Sequence, residues 1–105
     1  MQVTKRHVSP NEIHLVLEGQ LNFQVRKELG GALQEAQAEE MTSLLLNLEQ
    51  VTFIDCAAVG LFLIAHENMA EVGKALLLVA SPGRVLDILQ DMGVPKLIPI
   101  TSPAS

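Results

Sequence analysis

The stretch that decides the fold is Val51-Thr-Phe-Ile-Asp55-Cys-Ala-Ala-Val-Gly60-Leu-Phe-Leu-Ile-Ala65. An extended pattern runs into a polar turn, and a helical pattern starts at once. Asp55 is the only charge in the stretch, and it stands where the apolar period changes from two to about 3.6. An Asp there caps the new helix by accepting from its first free backbone N–H groups. Those N–H groups and the helix dipole make a spot that favours negative charge. The turn therefore presents residues 55–58 at the surface, and function depends on what meets it.

Outward from this turn, the chain reads as strands alternating with helices. Residues 2–8 suit a short strand, and Ser9-Pro-Asn-Glu12 carries turn chemistry. Ile13, Leu15 and Leu17 alternate with His14, Val16 and Glu18, a strand with one more apolar face. Asn22 is the N-cap of a helix whose inward residues are Val25, Leu29, Ala32, Leu33 and Ala36, ending near Glu39 or Glu40. Gly30-Gly31 in its middle reads as close packing on the sheet, drift on a tolerant face, or a partner contact. Leu44-Leu-Leu-Asn-Leu48 predicts a central strand buried on both faces. The helix after Asp55 ends near Val72, with Gly73 as its C′ residue. Leu76 to Ala80 is a further buried strand. Ser81-Pro82 opens another helix with Pro at its first position and Val85, Leu89 and Met92 inward, beside Ile88; Gly93 ends it. Leu97 to Ile100 is a last short strand, with Pro99 suiting an edge.

Strand–helix alternation implies parallel pairing through right-handed crossovers, with the first hairpin adding an antiparallel strand. The expected fold is a small mixed α/β sheet of four to five strands, mostly parallel, with three to four helices packed on it. Residues 1–100 form one domain, and 101–105 a polar tail.

Composition narrows the function classes. The 105 residues carry 12 acidic and 7 basic side chains, net charge −5, and no Trp or Tyr. Basic residues are scattered, so nucleic-acid binding is disfavoured. The longest uncharged apolar run, Cys56 to Ala65, is about half the roughly 20 residues a spanning helix needs. The first residues lack the apolar middle of a secretion signal, which predicts a cytoplasmic protein without membrane insertion. The single cysteine forms no internal disulfide, and His7, His14 and His66 lie on three different elements, so no metal site is expected. No phosphate loop or activated nucleophile is legible, and neither an enzyme nor a cofactor is expected. Ser81-Pro-Gly-Arg84 has the composition of an anion site, but equally that of an ordinary helix start.

On the helix after Asp55, Ala58, Leu61, Phe62, Ala65, Met69 and Val72 share the inward face. Gly60, Leu63, Ile64, Glu67 and Glu71 fall outside. Leu63 and Ile64 beside a bare Gly60 either pack under a neighbouring helix or form a docking patch. Cys56 is either a small residue tolerated in a tight turn or a thiol sensor at a helix start.

These blocks together resemble the STAS family, named for sulfate transporters and anti-sigma factor antagonists. The resemblance rests on Glu18-Gly-Gln-Leu-Asn22, on Leu44–Leu48 leading to Phe53-Ile-Asp55-Cys-Ala-Ala-Val-Gly60, and on Val85, Leu89, Gly93-Val94 and Leu97-Ile-Pro-Ile100. Stand-alone members of similar length look like bacterial anti-sigma factor antagonists. The resemblance implies that Asn22, Asp55, Cys56, Ala57, Ala58, Gly60, Leu63 and Ile64 meet a protein partner, an anti-sigma factor of the histidine-kinase-like ATPase type. In the family the residue after the Asp is a phosphorylated Ser, and the added charge of about −1.5 to −2 abolishes docking. Here that position is Cys56, followed by Ala57, and Asn22 stands where the family often has Asp. The resemblance therefore implies a docking module not switched by phosphorylation at its turn. A STAS subunit of a lipid-transport or stress-sensing complex is the alternative.

Overall fold

The computed structural model describes residues 1–103. Five strands form one sheet in sequential order: β1 (Gln2–Ser9), β2 (Glu12–Leu21), β3 (Ser43–Ile54), β4 (Ala75–Val79) and β5 (Ile100–Thr101). β1 pairs antiparallel with β2, and every other pairing is parallel. Three helices make the crossovers: α1 (Arg26–Gln37), α2 (Cys56–Glu71) and α3 (Arg84–Asp91). Right-handed crossovers between sequential parallel strands place all three on one face of the sheet.

That face holds the core. Ile13, Leu15 and Leu17 of β2, Leu44, Leu46 and Leu48 of β3, and Leu76 and Leu78 of β4 are buried against Leu29 and Leu33 of α1, Phe62 and Met69 of α2, and Leu89 of α3. The opposite face differs from the expectation that β3 is buried on both sides: His14, Val16, Leu45, Asn47 and Leu77 are only half-buried. Period-two alternation puts Leu45 and Asn47 opposite the helices, where no layer covers them.

Five other expectations shift. A 3-10 turn, Phe23–Val25, precedes α1, which stops at Gln37 rather than Glu39 or Glu40. Pro82 lies outside α3, because Gly83 at φ 150° breaks the helical path and acts as N-cap; Met92, the C-cap, is exposed rather than inward. Leu97 and Ile98 are not strand: both N–H groups donate to Val94 C=O at 2.9 Å, closing a tight turn after the 3-10 helix Val94–Lys96. Pairing therefore begins at Ile100 and takes in Thr101 from the expected tail, whose Ala104 and Ser105 lie outside the described residues.

On α2 the wheel misplaces one residue: Val72 is 67% exposed because, as C-cap, it has left helical geometry at φ −107°, ψ 16°. Val59, which the wheel assigned to neither side, is buried. The end itself forms as the sequence implies: Gly73 takes φ 75°, its N–H donates to Ala70 C=O at 3.1 Å, and Lys74 N–H donates to Met69 C=O at 2.8 Å.

At the β1 edge, Glu39 accepts from both Lys5 Nζ and His7, the latter at 2.7 Å, tying the first strand to the end of the α1 segment. The hydrogen bond from Lys5, followed by that from His7, holds the Glu39 carboxyl below its ordinary value, and the bond to Glu39 raises the Lys5 amine above its own.

Candidate functional site: the corner where two strands deliver two helices

β2 and β3 run parallel and end level: Leu21 pairs with Ile54, and Asp55 N–H donates to Leu21 C=O at 3.1 Å. The chain therefore leaves the sheet at Asn22 and at Asp55 side by side. Both residues are extended, and each caps the helical turn that comes directly after it. Asn22 Oδ1 accepts from Gln24 N–H at 3.1 Å, and Asp55 Oδ1 accepts from Ala58 N–H at 3.2 Å. Each bond satisfies one backbone donor that helix geometry leaves open.

The expected site residues take different positions around this corner. Cys56 is exposed, and Ala57 and Gly60 are half-buried. A Cβ added at Gly60 would meet nothing within 4 Å, so this part of α2 is bare backbone facing outward. Ala58 is buried; its contribution is the capped N–H, and it has no side-chain surface to offer. Leu63 and Ile64 separate. Leu63 is half-buried and packs against the core, whereas Ile64 is 56% exposed. Of the two outward apolar residues, α2 presents only Ile64 freely.

Ile64 lines a shallow groove between α1 and α2, with Gly30, Leu33 and Gln34 of α1 on the other bank. Gly30 faces this helix pair rather than the sheet: a Cβ there would make an ordinary contact with Leu61 Cδ2 at 3.8 Å, so packing does not require the glycine, and Gly31 faces open space. Leu61 is correspondingly only half-buried.

Two residues of the corner escape the sequence reading. Phe23, directly after the Asn22 cap, is 57% exposed. Arg26 lies over its ring with the guanidinium carbon 3.6 Å from the centroid, and its Nη1 donates to Phe23 C=O at 2.8 Å. Such a stack is worth about 0.5–1 kcal/mol at an exposed site. The signal was present as an aromatic at a cap boundary with an Arg three residues on, a spacing that brings side chains together on a helix.

Catalytic groups do not converge here. Cys56 is the chain's single thiol and is exposed. Among the described residues, no three His, Cys, Asp or Glu side chains gather as metal ligands. His7 meets Glu39, His14 lies 3.5 Å from Glu12, and His66 sits on α2. Among the described residues no helix is long and apolar enough to cross a membrane. What the corner offers is surface: an exposed aromatic, an exposed Ile, bare backbone and a thiol, framed by two rigid caps.

The family model for the STAS domain matches residues 3–103. No curated protein matches the chain in sequence. Among solved structures, an anti-sigma factor antagonist from Mycobacterium paratuberculosis is similar at TM-score 0.84, with 15% identity over 98% of this chain and 87% of that one. The anti-sigma factor antagonist SpoIIAA in its unphosphorylated form is similar at TM-score 0.75, with 19% identity over 99% and 90%. A sulfate transporter family protein from Wolinella succinogenes is similar at TM-score 0.72, with 22% identity over 87% and 74%. At these identities the likeness is one of fold.

Proposed function

Starting from a chain that belongs to the STAS domain family, we propose that it is a regulatory binding protein of the anti-sigma factor antagonist type. It docks an anti-sigma factor of the histidine-kinase-like ATPase type through the Asp55 turn and the outer side of α2, and catalyses nothing itself. The observation that carries this reading is Ile64: an apolar side chain more than half exposed beside the bare Gly60 backbone, on a helix whose buried residues already fill the core. Exposed apolar surface next to rigid backbone suits a partner more than solvent. Asn22, Asp55, Cys56, Ala57 and Gly60 frame the contact; Ala58 acts through its capped N–H, and Leu63, half-buried against the core, contributes its exposed part.

The phospho-switch of the family has no acceptor here. Position 56 is a thiol and position 57 a methyl group, so neither hydroxyl is available to a serine kinase. The module is therefore competent to dock at all times, and its control lies in abundance or in another subunit.

Purified ATPase anti-sigma factors from the same genome, titrated with wild type and with Ile64→Asp, test the docking. The variant is expected to bind at least about tenfold more weakly with an unchanged fold; equal binding by both proteins sinks the docking face. Mass spectrometry after incubation with ATP and the same ATPases tests the switch: phosphate within residues 52–58 overturns the unswitched reading.

The similarity to the Wolinella transporter-family protein supports a second reading, a STAS subunit of a membrane transport or other large complex using the same corner. Binding to transporter subunits in place of ATPases distinguishes it.

A further inference from the structure

We propose that Phe23 and Arg26 form a receptor for a carboxylate side chain of the protein partner, so that the partner brings an acidic, not a basic, residue to this corner. The inference rests on the reading that the corner docks a protein, and adds what that protein must carry.

Arg26 is held in one orientation by two contacts, its stack on the Phe23 ring and its bond to Phe23 C=O. One of its five N–H donors is used, which leaves the fork that matches a carboxylate. Among the described residues no carboxylate lies within ion-pairing distance of Arg26; the pairs that form are Lys5–Glu39, His7–Glu39 and His14–Glu12. The neighbouring charges do not serve it. Lys27 and Glu28 line a hollow against Met1 and against Val3 of the first strand, on the other flank of α1. Asp55 is engaged with Ala58 N–H.

The position of Arg26 gives this unpaired charge a direction. It lies one turn before Gly30 on the same stripe of α1, and Gly30 and Gln34 line the groove that Ile64 borders. Arg26 thus stands at the head of the groove, next to the exposed ring of Phe23, beside the neutral Asn22 cap. In a chain of net charge −5, a guanidinium with no ion pair of its own, beside a groove whose lining carries no charged side chain, selects its complement by charge. Phe and Arg are also both enriched at protein–protein interfaces relative to the rest of the surface.

Two measurements test the proposal. In the first, Arg26→Glu, Arg26→Lys and Phe23→Ala are titrated against the same panel of purified ATPase anti-sigma factors, with Ile64→Asp beside them. Arg26→Glu is expected to weaken binding by more than about tenfold, and Arg26→Lys by less, because an ammonium lacks the fork. Changing one partner Asp or Glu to Arg is expected to restore Arg26→Glu. If Ile64→Asp loses binding while Arg26→Glu binds as wild type, the docking reading stands and the acidic partner is wrong.

The second measurement serves where no ATPase binds wild type, an outcome that sinks the docking reading on its own. Arg26 side-chain N–H and Phe23 ring signals are followed by NMR while a Glu-rich decapeptide or its Gln counterpart is added. Phe23 ring shifts with the Glu peptide that vanish in Arg26→Gln support the carboxylate receptor. No shifts, or equal shifts with the Gln peptide, overturn it.

Discussion

α2 and α3 leave adjacent parallel strands of one sheet, yet they are built in opposite ways. α3 is eight residues long, with Val85 and Leu89 buried and Arg84, Asp87, Gln90 and Asp91 exposed. Its apolar residues suffice for the core and go no further. α2 is sixteen residues long and has no charged side chain before Glu67. It buries Ala58, Val59, Phe62, Ala65 and Met69 and still has Ile64 left on the outside. The starts differ as well: α2 begins on the Asp55 side chain, whereas α3 begins on the backbone of Gly83, with no side-chain cap. The difference teaches that α3 is accounted for by folding alone, while the outer side of α2 has a surplus that folding does not explain.

The largest expected effect tests the inner sides of both helices. Phe62→Ala should cost about 3–5 kcal/mol and Leu89→Ala about 2–5 kcal/mol in denaturant unfolding, since both side chains are fully buried. Ile64→Ala should change stability by less than about 0.5 kcal/mol. A cost for Ile64→Ala equal to that for Phe62→Ala would erase the distinction between the two sides of α2.

The helix starts come next. Gly83→Ala forces a side chain into φ 150° and should cost about 1–3 kcal/mol. Asp55→Ala removes the cap bond to Ala58 N–H and should cost about 1 kcal/mol, with Asp55→Ser recovering most of it. Thermal unfolding of the three variants checks the order.

A smaller effect of opposite sign sharpens the contrast. Gly60→Ala meets open space and improves helix propensity, so it should stabilise by about 0.5–1 kcal/mol while weakening partner binding. A residue that lowers stability and raises affinity is what a docking surface requires; improvement in both would remove that argument.

The smallest effect lies at the β1 edge, away from both helices. Lys5 and His7 hold the Glu39 carboxyl below its ordinary value. A lowered carboxyl contributes stability that is present above its unfolded value and is lost as pH falls through the folded one. Melting curves of wild type and Glu39→Gln should therefore differ near neutral pH and converge in acid, with partner binding the same in both.

Much of this was legible beforehand because it rests on period and caps. The strand–helix order, the antiparallel first hairpin, the Asp55 cap and the Gly73 end are local rules, and the structure obeys them. The misreadings have local causes too. Ser81-Pro82 looks the same whether a helix starts at Pro82 or is delayed by an unusual glycine conformation at Gly83. The wheel on α2 put Val72 inside because it carries helical geometry through a residue that is the C-cap and has already left it. Leu97 and Ile98 read as strand, but Val94 C=O gathers both of their N–H groups into a turn. At the corner, Asn22 and Asp55 were readable one at a time. Their adjacency was not, since it depends on β2 and β3 ending level. Phe23 and Arg26 went unread because their one signal, the three-residue spacing at a cap boundary, is a single pair and not a repeated period.

The most direct measurement is the affinity of wild type and Ile64→Asp for the purified ATPase anti-sigma factors of the same genome, with unfolding of both proteins measured in parallel. The account predicts equal stability and a loss in affinity of at least about tenfold. Equal affinity at equal stability would contradict it.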